Sequence, residues 1–214
     1  QVISCLAIEA LKMTSMLVGY ALWLVPSEAD TAKLRTIMDL HPSPRFQPHI
    51  TIASLPWGPP ADLQSILPKL SSILHAQPPL FVTFDAVEVG DHFFRSVYIL
   101  VRASDDLLAL HRAIHIKLLG LLGLANIDKP KFPHHLSLCY ISREDAKAGA
   151  RTKYLEQLQS SGKLRSDGPS VSLNCRERDD IEDDWLSGFQ AAEIWLVDCT
   201  GPANTWTPQS RIAF

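Results

Sequence analysis

The sequence predicts an α+β fold of two pseudo-symmetric lobes, in which antiparallel sheets flank a central cleft and helices lie on the outside. Three observations predict it. Strand-period and helix-period apolar patterns alternate twice over with similar lengths, a hairpin signal sits mid-chain, and two near-identical polar tetrads stand 86 residues apart on strand patterns. With 214 residues, 46% of them hydrophobic, the chain can bury one sizeable core.

The elements follow in order. Leu17 to Val25 reads as a strand, with Tyr20, Leu22 and Leu24 on one face and Gly19, Ala21 and Trp23 on the other. Pro26 stops it, and Ser27 with Asp30 three residues on caps a helix reaching about Leu40. A proline loop at residues 41–44 precedes a strand from Ile50 to Leu55, which ends at Pro56. Leu63, Ile66, Leu67, Leu70, Ile73 and Leu74 recur at helical spacing. Leu80–Val89 and Arg95–Arg102 read as a hairpin turning at Gly90-Asp91. A leucine-rich helix from about Asp105 to Leu122 breaks at Gly123 and Asn126. A strand from His135 to Ile141, a polar helix from Arg143 to Gln159, and strands at Ser170–Cys175 and Ala191–Val197 complete the pattern. Residues 1–15 read as an N-terminal extension, 16–200 as a single bilobal domain and 201–214 as a C-terminal tail.

Charge and cysteine usage narrow the function classes. Twenty basic against 23 acidic residues give a net charge of −3, which supplies no broad positive surface for a long nucleic acid. The apolar run from Met16 to Val25 is too short to span a bilayer, so no membrane partner is expected. Cys5, Cys139, Cys175 and Cys199 form no C-x-x-C pair and read as buried free thiols of a reducing, cytoplasmic compartment. The run from Arg176 to Asp184 is rich in carboxylates but has no metal-ligand spacing, and reads as a solvated turn.

The chemistry lies in His49-Ile-Thr-Ile52 and His135-Leu-Ser-Leu138. In a strand, His49 and Thr51 project together, about 6.6 Å apart, while Ile50 and Ile52 enter the core; His135 and Ser137 stand over Leu136 and Leu138 alike. A single tetrad of this kind is more often a satisfied core histidine than a site. A third histidine with a hydroxyl two residues on, His41-Pro-Ser-Pro44, lies in a proline loop that cannot present both side chains from one face. Two imidazoles across a cleft suit general acid–base catalysis, with Thr51 and Ser137 holding the non-bridging oxygens of a phosphodiester, and no metal or other cofactor is required.

Paired H-x-[ST]-x tetrads resemble the 2H phosphoesterase superfamily. The segments Ala21-Leu-Trp-Leu-Val-Pro26, Pro44-Arg-Phe-Gln-Pro-His-Ile-Thr51, Phe93-Phe94 before Val97-Tyr-Ile-Leu-Val101, and Pro133-His-His-Leu-Ser-Leu-Cys-Tyr140 are similar to the plant and fungal cyclic phosphodiesterases over about residues 20–199. That resemblance implies a 2′,3′-cyclic-nucleotide 3′-phosphodiesterase that also converts ADP-ribose 1″,2″-cyclic phosphate, a by-product of tRNA splicing, to ADP-ribose 1″-phosphate. It implies His135 as the base that activates water, His49 as the acid, and Phe94 and Tyr140 as substrate contacts, while Trp23, sharing its strand face with the small residues Gly19 and Ala21, suits a cleft floor whose ring meets the base or ribose. The chain departs from the family in carrying His134 before His135, and alternation sends His134 to the opposite face. Strict alternation also places Tyr140 away from the cleft, and Cys139 on the face of Ser137, where its redox sensitivity is open. The expected partner is a small nucleotide cyclic phosphate, handled by a monomer. The alternatives are an RNA-end-processing enzyme of the same superfamily (2′,5′-phosphodiesterase, ligase or exonuclease) and a nucleotide-binding module without turnover.

Overall fold

The computed structural model describes residues 19–55, 63–119, 133–178 and 182–214. The expected extension at 1–15, the stop at Pro56, the helix break at Gly123 and Asn126, and residues 179–181 of the acidic run lie outside these. The described residues form α+β architecture with five α-helices and ten strands in two antiparallel sheets.

The strands are β1 (Tyr20–Pro26), β2 (Ile50–Leu55), β3 (Phe81–His92), β4 (Arg95–Val101), β5 (His135–Cys139), β6 (Leu164–Asp167), β7 (Ser170–Asn174), β8 (Trp185–Leu186), β9 (Gly188–Asp198) and β10 (Thr207–Ala213). The helices are α1 (Glu28–Met38), α2 (Leu63–Leu74), α3 (Asp105–Ile114), α4 (Arg143–Lys147) and α5 (Ala150–Ser160). The larger sheet runs β1-β2-β5-β4-β3-β9-β10, and a further pairing of β1 with β9 closes six of its strands into a ring. β6, β7 and β8 form the smaller sheet.

The local reasons are those of the sequence. Ser27 accepts from the Asp30 amide at 3.1 Å and caps α1, whose Leu34 and Ile37 are fully buried. Leu22 and Leu24 of β1, Ile50 of β2 and Leu136 and Leu138 of β5 are also inaccessible, so the alternate residues of these strands are left for the other face.

Several boundaries differ from the expectation. The β3–β4 hairpin turns at Phe93-Phe94, and Gly90 lies inside β3, where a Cβ would sit 2.1 Å from the Arg95 carbonyl oxygen. Glycine there serves a close approach of two strands rather than the turn. The helix expected over 143–159 is two helices, divided at Gly149 with φ of +82°. The segment read as a tail supplies β10, which pairs with β9, and its sequence Thr-Pro-Gln-Ser-Arg-Ile-Ala carries little apolar signal because it is an edge. In the acidic run, Asp184 pairs with Lys33 at 2.5 Å and Asp183 with Arg176 at 3.0 Å. No helix among the described residues is long and apolar enough to cross a membrane.

Candidate active site

β2 and β5 lie side by side in the larger sheet and meet with Ile50 opposite Leu136. Carried one residue either way, this antiparallel register sets His49 across from Ser137 and Thr51 across from His135. Sequence positions 86 apart thus converge because two central strands pair at the tetrads. With Ile50, Ile52, Leu136 and Leu138 in the core, the four polar side chains share the face that lines a cavity of about 590 Å³.

Each tetrad strand carries a bulge at its fourth residue. Between β1 and β2 the register passes from Leu22 opposite Ala53 to Trp23 opposite Thr51, which leaves Ile52 over. Between β4 and β5 it passes from Val97 opposite Cys139 to Tyr98 opposite Ser137, which leaves Leu138 over. The second bulge reverses alternation. Cys139 therefore joins the core, fully buried, and Tyr140 reaches the cavity wall, contrary to strict alternation on both counts. Burial pushes the Cys139 thiol up to about 12, so it is no thiolate at neutral pH.

Both histidines are oriented by the same device. The Nδ1–H of His49 donates to the Gln47 carbonyl at 2.6 Å, and that of His135 donates to the Pro133 carbonyl at 3.1 Å. This leaves Nε2 of each as the nitrogen that takes or gives a proton, and at His135 the Phe94 carbonyl beside the ring favours the protonated form. Their surroundings differ. The His49 ring lies flat on Trp23, with centroids 3.7 Å apart, and is only 6% exposed. Burial, aided by the charge His135 can carry, pushes it down to about 4. His135 is half-buried with Tyr98 edge-on at 5.2 Å, and its proton affinity is lowered first by burial and then by the Arg95 charge.

The hydroxyls also differ. Thr51 is exposed toward the cavity, whereas Ser137 is buried and donates to the Phe94 carbonyl at 2.8 Å. Trp23 is 3% exposed and Tyr140, stacked on Phe46 at 4.1 Å, is 5% exposed, while Phe94 is half-buried. All three line the cavity. Trp206 joins them, with Trp23, Phe94 and Tyr140 at 5.7, 5.8 and 6.0 Å. It follows the expected domain limit at 200 and stands in no motif, so the sequence offered only an isolated tryptophan.

His134 lines the cavity at its His111 end, edge-on to that ring at 5.0 Å, and its carbonyl accepts from the Val101 amide at 3.1 Å, which continues the pairing of β4 with β5. His92, His111 and His115 line it too, so six of the eight histidines share one cavity. The i, i+4 spacing of His111 and His115 on an amphipathic helix was the available signal. His41 is elsewhere, edge-on to Tyr154. Among the described residues no three His, Cys, Asp or Glu side chains are grouped to hold a metal ion.

The sequence pattern of the cyclic phosphodiesterase-like proteins matches residues 16–214. The chain belongs to that family. Among solved structures, TT0787 of Thermus thermophilus is similar with a TM-score of 0.54 at 12% identity, over 92% of this chain and 97% of that one. A protein described as a phosphoesterase gives 0.52 at 13% identity, over 92% and 98%. E. coli LigT complexed with NADP+ gives 0.51 at 12% identity, over 94% and 99%. These likenesses are to the fold. No curated protein matches the chain. Membership of the family makes this a phosphodiesterase of the 2H phosphoesterase type, and its match reaches Phe214, so it includes Trp206 and β10 where the resemblance read from the sequence stopped at 199.

Proposed function

We propose that this protein opens small cyclic phosphodiesters, converting 2′,3′-cyclic nucleotides to 2′-phosphates and ADP-ribose 1″,2″-cyclic phosphate to ADP-ribose 1″-phosphate, in the manner of the plant and fungal branch of its family. The observation that carries this reading is the convergence of both tetrads on adjacent strands, with two Nε2 atoms and one exposed hydroxyl facing one cavity.

In this reading His135 takes a proton from water as its oxygen attacks phosphorus. The bond from phosphorus to the 3′ oxygen breaks, and His49 gives its proton to that oxygen. Burial holds both imidazoles below their usual range in the free protein, so the base is ready as it stands. The acid acquires its proton with the substrate, whose negative charge favours an imidazolium beside it. Thr51 donates to a non-bridging oxygen, and Ser137 does so after its hydroxyl turns from the Phe94 carbonyl. Trp23 and Tyr140 act chiefly as packing that holds the site, and Phe94 offers ring surface to the ribose.

Net charge of −3, with Arg45 already paired to Asp39, favours a small nucleotide over a long RNA, and the protein acts as a monomer in this reading. The buried free thiols of Cys139, Cys175 and Cys199 suit a reducing, cytoplasmic setting. Phosphorus NMR of the purified protein with 2′,3′-cyclic nucleotides, ADP-ribose 1″,2″-cyclic phosphate and a cyclic-ended RNA oligomer reports substrate class and bond opened together. Conversion of the small substrates to the named products in EDTA is expected. Turnover of the oligomer alone favours the RNA-end enzyme, and binding without turnover favours the nucleotide-binding module.

A further inference from the structure

Adjoining the tetrads, the cavity is walled by three histidines that the acid–base reading does not use. His111 and His115 stand one helical turn apart with rings stacked at 4.0 Å, and His134 meets His111 edge-on at 5.0 Å. His134 and His111 are 6% and 5% exposed. At His115 the helix passes from α to π pitch through Leu119, a form frequent at functional sites.

The ring nitrogens indicate what this arm can accept. The Nε2–H of His115 donates to the Ile52 carbonyl at 3.2 Å, so in the neutral ring Nδ1 is a bare acceptor, and it is buried without a partner. His134 Nε2 is also buried and unpartnered, and in its Nε2–H tautomer it is a donor. A phosphate oxygen cannot satisfy the bare acceptor at His115 Nδ1, and burial pushes His111 and His134 down to about 4, which keeps those two rings uncharged at neutral pH. Nearby walls are apolar, from Ile52 and Leu55. An uncharged heterocycle with an N–H donor meets these requirements. At the other end, Trp23, Phe94, Tyr140 and Trp206 pack on one another.

We propose that the arm formed by His111, His115 and His134 seats the nucleobase of the substrate, with an exocyclic amino group of adenine or cytosine donating to His115 Nδ1 and the neighbouring ring nitrogen accepting from His134 Nε2–H. This rests on the cyclic phosphodiesterase reading for the position of the phosphate at His49 and His135. It adds a discrimination that the tetrads cannot provide, since they contact only the phosphoester.

The test compares adenosine 2′,3′-cyclic phosphate with purine riboside 2′,3′-cyclic phosphate, which differs only by lacking the amino group. Wild-type protein should show a KM about tenfold higher for the purine riboside, with kcat changed by less than about threefold, as expected when a buried acceptor loses its donor. In His115→Phe the preference should fall to within about twofold. Equal KM values in the wild type overturn the proposal without any variant, and so does a tenfold preference that survives in both His115→Phe and His134→Phe. If neither substrate is opened, the phosphodiesterase reading fails, and calorimetry with adenosine 2′-phosphate and purine riboside 2′-phosphate then decides on the arm alone. A tenfold difference in Kd retains it; equal affinity, or no binding, removes it.

Discussion

The two tetrads share a design and differ in environment. Each histidine donates Nδ1–H to the carbonyl two residues upstream, each strand bulges at the fourth residue, and each second residue is fully buried. Yet His49 is sealed beneath Trp23, while His135 is half-buried, edge-on to Tyr98 and within reach of the Arg95 charge. One motif used twice provides two like groups, and packing around each is what separates their proton affinities.

The sharpest way to break the comparison is to delete each histidine in turn. His49→Ala and His135→Ala should each lower kcat/KM for a 2′,3′-cyclic nucleotide by about two to four orders of magnitude. Circular dichroism should show both variants folded. If either retained activity within tenfold of the wild type, the two tetrads would not act as a pair.

Protonation comes next. The free protein holds His49 near 4 and His135 below its usual range, so the acid is charged in a falling fraction of molecules as pH rises. Therefore kcat/KM should peak below about pH 6.5 and decline above it by up to about tenfold per unit, because it reports the free enzyme. In the complex the phosphate charge raises both imidazoles, and the kcat profile should lie at higher pH. A kcat/KM profile flat to pH 8 would mean that no imidazolium is needed.

How much of this was legible in the sequence follows from how local each feature is. The tetrads and the burial of Ile50, Ile52, Leu136 and Leu138 follow from alternation within one strand, and the Ser27 cap from a three-residue spacing. The bulges were not legible, since a bulge is a relation between two strands, and the missed one at Leu138 is why Cys139 and Tyr140 exchanged faces. Trp206 escaped because β10 is a polar edge strand held by β9 rather than by its own pattern. The six-histidine cavity depends on α3 and the turn after it lying beside β2 and His134, which no spacing along the chain encodes.

The aromatic partners sharpen the comparison further. Trp23→Ala removes the ring that seals His49 and a side chain 3% exposed, so a stability loss of about 3–5 kcal/mol is expected by denaturant titration. NMR titration should place His49 closer to 6.5 in the variant, because water reaches the ring. Tyr98→Phe removes a hydroxyl that donates to Glu88 at 2.6 Å but keeps the edge contact with His135, so a cost of only about 1 kcal/mol is expected. Equal effects would mean that neither ring has a special relation to its histidine.

The smallest expected effects separate the two hydroxyls. Thr51 is exposed in the cavity, so Thr51→Ala should leave stability within about 0.5 kcal/mol while raising KM several-fold. Ser137 is buried, and its hydroxyl is the donor to the Phe94 carbonyl. Ser137→Ala leaves that carbonyl short of a partner and should cost about 1–3 kcal/mol of stability in addition to any loss of rate. Denaturant titration and steady-state kinetics on the same two variants read both quantities. If Thr51→Ala proved the destabilising change and Ser137→Ala the silent one, Ser137 would be the hydroxyl free for phosphate and the present pairing with Phe94 a resting contact.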